Sequence, residues 1–406
     1  MGVGSSNEWL ESFLDAHRDE LVAFRRHLHA FPELSGRELQ TTELVAERLR
    51  AAGLAPKELA GGVGLCCDIG DVSPDSPGIA LRADLDALAM DDLKTVSYRS
   101  RVAGCAHACG HDVHTSIVLG AGLALAARGL RSGRGGVRLL FEPAEEAVPG
   151  GAVDLIEQGA LDNIGAVFGF HCDPKIDVGR VGLRVGALTA ATDAVTIHLR
   201  GPGGHTARPQ LTVDLVAVAS RVAVELPGRV ADAAQRAGGE IRLVFGAIHA
   251  GDAPNVIPVH AELRGSVRVP DRGLWDRAES LVTGLVADLV AGTGAEIEIE
   301  YRRGIPPVVN DAAAVAAFEA VAVSVLGPAG VVDTPRSYGG DSFAWYLERV
   351  PGCYVRLGVH DPAWGTERHD LHSGSFDVAE DAIEIGVRLL VELVARGPQL
   401  HSPHPT

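Results

Sequence analysis

The chain has 406 residues, a formal net charge of −17 and 46% hydrophobic residues. That length exceeds what one core ordinarily serves and points to two domains. The acidity disfavours nucleic acid and anionic membrane surfaces as partners, and no apolar run long enough for a membrane span is present.

Met1–Asn7 is small and polar, without the charged and then apolar pattern of a signal peptide. Residues 8–31 predict an amphipathic helix, with Trp9, Leu10, Phe13, Leu14, Leu21, Val22 and Phe24 at helical spacing and Pro32 as its stop. A second helix is expected over about 36–52, ending at Gly53. Short apolar runs that end in polar residues follow. Residues 78–83 lead into Asp84 and Asp86; 137–141 lead into Pro143-Ala-Glu145-Glu146; 166–170 lead into His171; 353–357 lead into Gly358 and His360. Helical stretches such as 112–128 and 151–158 lie between them. Strands alternating with helices predict an α/β sheet covered on both faces, and such sheets bind ligands at the carboxyl ends of their strands.

The middle of the chain has another rhythm. Strands are expected at 189–199, 240–248, 256–269 and 295–301, with helices at about 212–227 and 274–291. That β-α-β-β-α-β order predicts a ferredoxin-like α+β lid domain, inserted at 187–302 into an α/β catalytic domain of 1–186 and 303–406. The Pro/His-rich tail from Gly397 is expected to fray. Six cysteines in a chain this long form no disulfide framework, and Cys66 and Cys67 are adjacent, so a reducing cytoplasm is expected.

The densest chemical signal is His107-Ala-Cys109-Gly-His111-Asp112-Val-His114. Thiolate and imidazole are donors that Zn²⁺, Mn²⁺ or Co²⁺ accept. Three weaker signals accompany it: Glu145-Glu146, His171 after an apolar strand, and Leu371-His372-Ser373 before a helix near Asp377. Taken singly, each reads as solvated surface or a structural histidine. Taken together, they all fall at strand ends or adjoining loops of one inferred sheet.

With Phe24-Arg-Arg-His-Leu-His29, Leu81-Arg-Ala-Asp84-Leu-Asp86-Ala-Leu88, Gly203-Gly-His205-Thr-Ala207 and Ala253-Pro-Asn255-Val-Ile-Pro258, these runs resemble the aminoacylase/carboxypeptidase branch of the M20 peptidase family. That branch includes hydrolases of N-acyl amino acids and of indole-acetic-acid amino-acid conjugates. The resemblance spans essentially the whole chain. It implies Cys109, His111, Glu146, His171 and His372 as metal ligands, Glu145 as general base, and Asp86 as a residue that orients a ligand or the attacking water. It also implies that His205 and Asn255, on the inserted domain, bind substrate and its oxyanion. The Gly-rich turn at Gly340 offers donors for a substrate carboxylate. A thiolate with three imidazoles and a carboxylate favours one or two divalent transition-metal ions per subunit (Mn, Zn, Co or Ni) over Mg or Ca. The resemblance further implies a homodimer joined through the lid, with His205 acting across the interface.

Several positions depart from the family pattern. Ala89 stands for a proline, Glu142 for a glutamine and Val113 for a glycine. Gly-Ser-Glu-Asp-Phe appears as Gly339-Gly340-Asp341-Ser342-Phe343, and Gly374 follows His372-Ser373 in place of proline. None removes an expected ligand or the base. The expected activity is metal-dependent hydrolysis of the amide bond of N-acyl amino acids. A dipeptidase, an N-carbamoyl amidase, or a catalytically silent metal- or ligand-binding protein remain the alternatives.

Overall fold

The computed structural model describes residues 7–130 and 135–397. The rest of the tail expected to fray, 398–406, lies outside them, as does the start of the chain, 1–6. The chain divides into two compact units. One comprises 1–186, 310–335 and 342–406; the other comprises 187–309 and 336–341.

The first unit is built on an eight-stranded mixed sheet. From edge to edge its strands are Lys57–Glu58, Leu65–Ile69, Val137–Glu142, Gly78–Asp84, Ile164–Asp177, Gly352–His360, Val181–Leu183 and Val331–Asp333. The four in the middle run parallel, and they read as continuous apolar runs because helices cover both faces. Strand Gly352–His360 is buried along its whole length. The helix Asn7–Ala30 forms because Leu10, Leu14, Leu21, Phe24 and Leu28 fall on one face, and all five are buried. The helix His111–Arg128 is buried almost all round, packed on strand Gly78–Asp84 and on the helices Asn7–Ala30 and Asp381–Arg396.

Sequence patterning misses several elements of this unit. Strands Leu65–Ile69, Val181–Leu183 and Val331–Asp333 are short, and the helix Ala312–Leu326 is apolar on nearly every face, so periodicity marks none of them. The strand expected to stop before His171 continues to Asp177, because its register with strand Gly352–His360 extends to the pair Asp177–His360.

The second unit is a four-stranded antiparallel sheet in the order Arg242–Ala250, His260–Val269, Ala191–Arg200, Glu296–Ile305. With helices Leu215–Arg236 and Arg272–Val290 this is the ferredoxin-like order. The first helix runs nine residues beyond its expected end and passes through Pro227. Its buried stripe of Leu215, Ala219, Val222, Leu226, Val230 and Ala234 continues in phase across the proline, so tertiary packing overrides the local break. Residues 336–341 also belong to this unit: Ser337 N–H donates to Leu188 O and Ala190 N–H to Gly339 O.

At Gly352 a methyl group would lie 2.2 Å from the Val167 carbonyl oxygen, a backbone atom that cannot step aside. Gly352→Ala should therefore destabilise the protein by about 1–3 kcal/mol, as over-packing of a tight core does. Denaturant unfolding of the variant reads this directly, and an unchanged midpoint would contradict so close an approach of the two strands.

Candidate metal centre

The carboxyl ends of the parallel strands carry the reactive side chains. Strand Gly78–Asp84 leads to Asp86, which is 1% exposed. The Asp86 backbone oxygen accepts a hydrogen bond from His111 Nδ1 at 2.9 Å, and its Oδ1 lies 3.2 Å from the same nitrogen. A carbonyl oxygen can only accept, so Nδ1 carries a proton and Nε2 is the nitrogen left to take either a second proton or a cation. That Nε2 is buried and has no hydrogen-bond partner.

The same logic applies at His171. Its Nδ1 donates to the Cys172 carbonyl at 2.7 Å, which leaves the Nε2 lone pair to accept from the Cys109 thiol at 3.6 Å. Burial, with Arg356 nearby, pushes this imidazole well below its usual range, so it is neutral. Cys109 sits two residues before His111, at the start of the helix His111–Arg128. Burial raises its thiol far above the ordinary value, so it stays protonated unless a cation takes the proton's place. Burial opposes charge on His111 as well, yet Asp84, Cys109 and Asp86 outweigh it and hold that ring well above the usual imidazole value. The site therefore draws positive charge to itself.

Glu145 and Glu146 follow strand Val137–Glu142 in a tight turn. Ala144 there has φ +53°, and its N–H donates to Glu38 Oε1 at 2.7 Å. Glu146 N–H donates to Asp86 Oδ2 at 2.9 Å, which also accepts from Ser35 Oγ at 2.7 Å. Two adjacent carboxylates are thereby aimed differently. Glu146 Oε1 faces His111 Nε2 at 3.8 Å and His372 Nε2 at 3.3 Å. Glu145 Oε1 accepts from Ser342 N–H at 3.2 Å, and its Oε2 lies 3.9 Å from His111 Nε2. His372 also has a positive φ, +59°, and is pinned by its N–H to Ala108 O at 2.8 Å. Among the described residues only three non-glycines have positive φ, and two of them are Ala144 and His372. Such strain persists where surrounding structure over-determines it, commonly at functional sites.

Cys109, His111 and Glu146 each bring a ligand atom to within 4.8 Å of the others. An orphaned imidazole nitrogen, a thiol held protonated by burial and a buried carboxylate oxygen facing two imidazoles fit a divalent transition metal. Asp84, His111 and His114 are equally close. There His114 Nε2 accepts from Cys172 N–H at 2.9 Å, so Nδ1 must donate to Asp84 at 2.7 Å, and both ring nitrogens are used. We read that second triad as structural. A further buried set lies beneath the helix: Asp112 Oδ2 accepts from Arg25 Nε and from His29 Nδ1, both at 2.7 Å, and His29 Nε2 lies 3.2 Å from Asp92 Oδ2. Sequence patterning missed Arg25, Glu38 and Asp92, because only the fold reveals that these charges are buried.

Residues 80–396 match the model of peptidase family M20/M25/M40. The chain belongs to this family. It is 36% identical over 364 residues to an N-acetyl-L-cysteine deacetylase of Bacillus subtilis (strain 168), covering 90% of this chain and 85% of that one. A longer protein of Rhodococcus jostii (strain RHA1), named for a glutamate–cysteine ligase, is 43% identical over 385 residues. That match takes in 95% of this chain and 47% of the other, so this chain spans about half of that relative's length. Among solved structures, a dinuclear metal-binding peptidase of the M20 family from Bacillus subtilis superposes with a TM-score of 0.80 at 29% identity, covering 95% of this chain and 99% of that one. The protein is a metal-dependent amidohydrolase of the M20 family.

The remaining expected site residues of this M20 protein lie in the second unit. His205 is exposed; its Nδ1 accepts from Ala207 N–H at 3.0 Å, and it pairs with Val256 across two short strands. Asn255 is exposed beside it, its carbonyl accepting from Thr206 N–H at 3.3 Å. Gly340 has a packing reason of its own, since a methyl group there would meet Thr192 Oγ1 at 2.4 Å. Two departures from the M20 pattern, Glu142 and Ser342, touch: Ser342 Oγ donates to Glu142 Oε1.

Asp86 holds both His111 and Glu146, so Asp86→Ala should weaken metal retention about 10–100-fold although Asp86 is not among the five expected ligands. Competition with a graded chelator measures this. Parent-like retention would mean that the two groups hold their aim without Asp86.

Proposed function

We propose that this M20 protein hydrolyses the amide bond of N-acyl amino acids, releasing a carboxylate and the free amino acid. The observation that carries the reading is the convergence of Cys109, His111 and Glu146 with Glu145 beside them, a carboxylate set next to the ligand group. Cys109, His111, Glu146, His171 and His372 would hold one or two ions of Mn, Zn, Co or Ni. Bound there, a divalent cation supplies an acidified water and polarises the substrate carbonyl. Glu145 takes the proton from the attacking water at its carboxylate and returns it to the leaving amine nitrogen. Ser342 N–H holds one Glu145 oxygen, which keeps the other turned towards the ligand group. Asp86 fixes the His111 tautomer. Asn255 and the turn at Gly340 would bind the substrate carboxylate. The similarity to an N-acetyl-L-cysteine deacetylase supports a small acyl group, although that substrate is the relative's own.

We also propose a homodimer joined through the second unit, with His205 of the partner subunit stabilising the oxyanion. Support comes from the family resemblance, from the exposure of His205, and from the edge strand Arg242–Ala250, where Val244 and Ile248 are 62% and 47% exposed. Such an edge can pair with its two-fold mate. All six cysteines are free, which suits the cytoplasm. Among the described residues no helix is long and apolar enough to cross a membrane.

A mass-spectrometric screen of acyl amino acids with metal-reconstituted protein tests the activity. Glu145→Gln should keep the metal and lower kcat by about 10²–10⁴, whereas Glu146→Ala should lose metal and activity together. Metal loss in Glu145→Gln with retention in Glu146→Ala would show the two roles to be reversed. The dimer has its own test, in which inactive His205→Ala and Glu145→Gln subunits are mixed. Mixed dimers should regain part of the activity, because one site combines an intact Glu145 with an intact His205 of the partner subunit. Verified subunit exchange without recovery would place His205 within its own chain or outside the reaction.

A further inference from the structure

Behind the Glu145 turn lies a buried ionic network that the proposed reaction does not use. Glu142, the last residue of strand Val137–Glu142, is fully buried. Four donors converge on its carboxylate. Arg82 Nε and Tyr346 OH reach Oε2 at 2.7 and 3.0 Å; Ala152 N–H reaches Oε1 at 2.8 Å, and Ser342 Oγ donates to the same oxygen. Burial pushes the Glu142 carboxyl above its usual value, and the bonds from Arg82 and Ser342 work against that rise. Arg82 Nη2 donates to Ser342 Oγ at 3.1 Å, so that hydroxyl accepts from the guanidinium while it donates to Glu142. Arg82 Nη1 donates to Asp84, which also accepts from His114. Ser342 is thus clamped through its side chain, and its backbone N–H is the one that holds Glu145 Oε1.

We infer that Glu142 and Ser342 are positioning residues for Glu145: a single buried carboxylate, shared with Arg82, locks the Ser342 hydroxyl and so aims the Ser342 N–H at Glu145. The inference rests on reading Glu145 as the base. What the network requires is one negative charge between Arg82 and position 342, and that charge can stand on either side of the Ser342–Glu142 contact. Moving it from 142 to 342 should preserve the lock. Removing it takes the charged acceptor from Arg82 Nε, and doubling it sets a third carboxylate, beside Glu142 and Asp84, against one guanidinium, so neither should preserve the lock.

The test compares Glu142→Gln, Ser342→Asp and the double variant Glu142→Gln/Ser342→Asp, each measured for kcat, KM, bound metal and thermal midpoint, with crystal structures of all three. Glu142→Gln should lower kcat about 10–100-fold while KM and metal content stay at parent values. Ser342→Asp should lower kcat at least as far, together with the thermal midpoint. The double variant should exceed both single variants in kcat and in midpoint, a coupling that independent residues would not show. Parent-like kcat in Glu142→Gln, or a double variant no better than the worse single one, overturns the inference. If the parent cleaves no acyl amino acid, the proposed substrate class fails on its own account. The crystal structures then decide the positioning: loss of the contact between Glu145 and Ser342 N–H in Glu142→Gln and its return in the double variant support it, and a contact unchanged in Glu142→Gln overturns it.

Discussion

One residue ties the centre together. Asp86 accepts from His111 through its backbone oxygen and holds Glu146 N–H and Ser35 through a carboxylate oxygen. The first bond fixes which imidazole nitrogen is left for a second proton or a cation; the second fixes the peptide that aims Glu146. Burial would raise the Asp86 carboxyl, but its bonds to His111 and Ser35 lower it, so it remains an acceptor. The orphaned Nε2 of His111, the Glu146 oxygen between His111 and His372, and the raised Cys109 thiol fit a cation as their common partner.

The buried carboxylates around the centre share two arginines. Arg82 lies between Glu142 and Asp84, and Arg25 bonds Asp112 within reach of Asp377 and Glu380. Burying such groups is costly unless each is paired and hydrogen-bonded. Arg82, Asp84 and Glu142 sit at strand ends and Asp112 in the first turn of the helix His111–Arg128, whereas Arg25 lies in the helix Asn7–Ala30 and Asp377 and Glu380 just precede the helix Asp381–Arg396. The pairs thereby tie the ligand loops to the helices around them. The strained backbone at Ala144 and His372 fits that view, since each is held by a hydrogen bond from its own N–H.

The second unit has a different design. Its core is a plain ferredoxin-like sandwich, with Val195, Ile197 and Leu199 of the sheet and Val222, Leu226 and Val282 of the helices all buried. The residues expected to meet substrate are exposed outside that core, His205 on a short strand and Asn255 in the turn before the strand that pairs with it. The scaffold can keep its fold while those turns vary.

The sequence by itself determined a good deal. Periodicity located the parallel strands and the inserted β-α-β-β-α-β unit, because each strand buries its own face and each helix shows its own stripe. Motif chemistry singled out the run His107 to His114, the pair Glu145-Glu146, His171 and His372 as candidates, and the family resemblance implied which of them are ligands and which is the base. Other features depended on partners far away in the chain. Pro227 stays inside a helix because distant strands complete its buried stripe. The His111 tautomer depends on an oxygen 25 residues earlier, and the Glu142 carboxylate on Ser342, 200 residues later. Local sequence records which groups can donate or accept. Only the tertiary structure decides which of them are buried together, and so which must be charged, paired or left open for a metal.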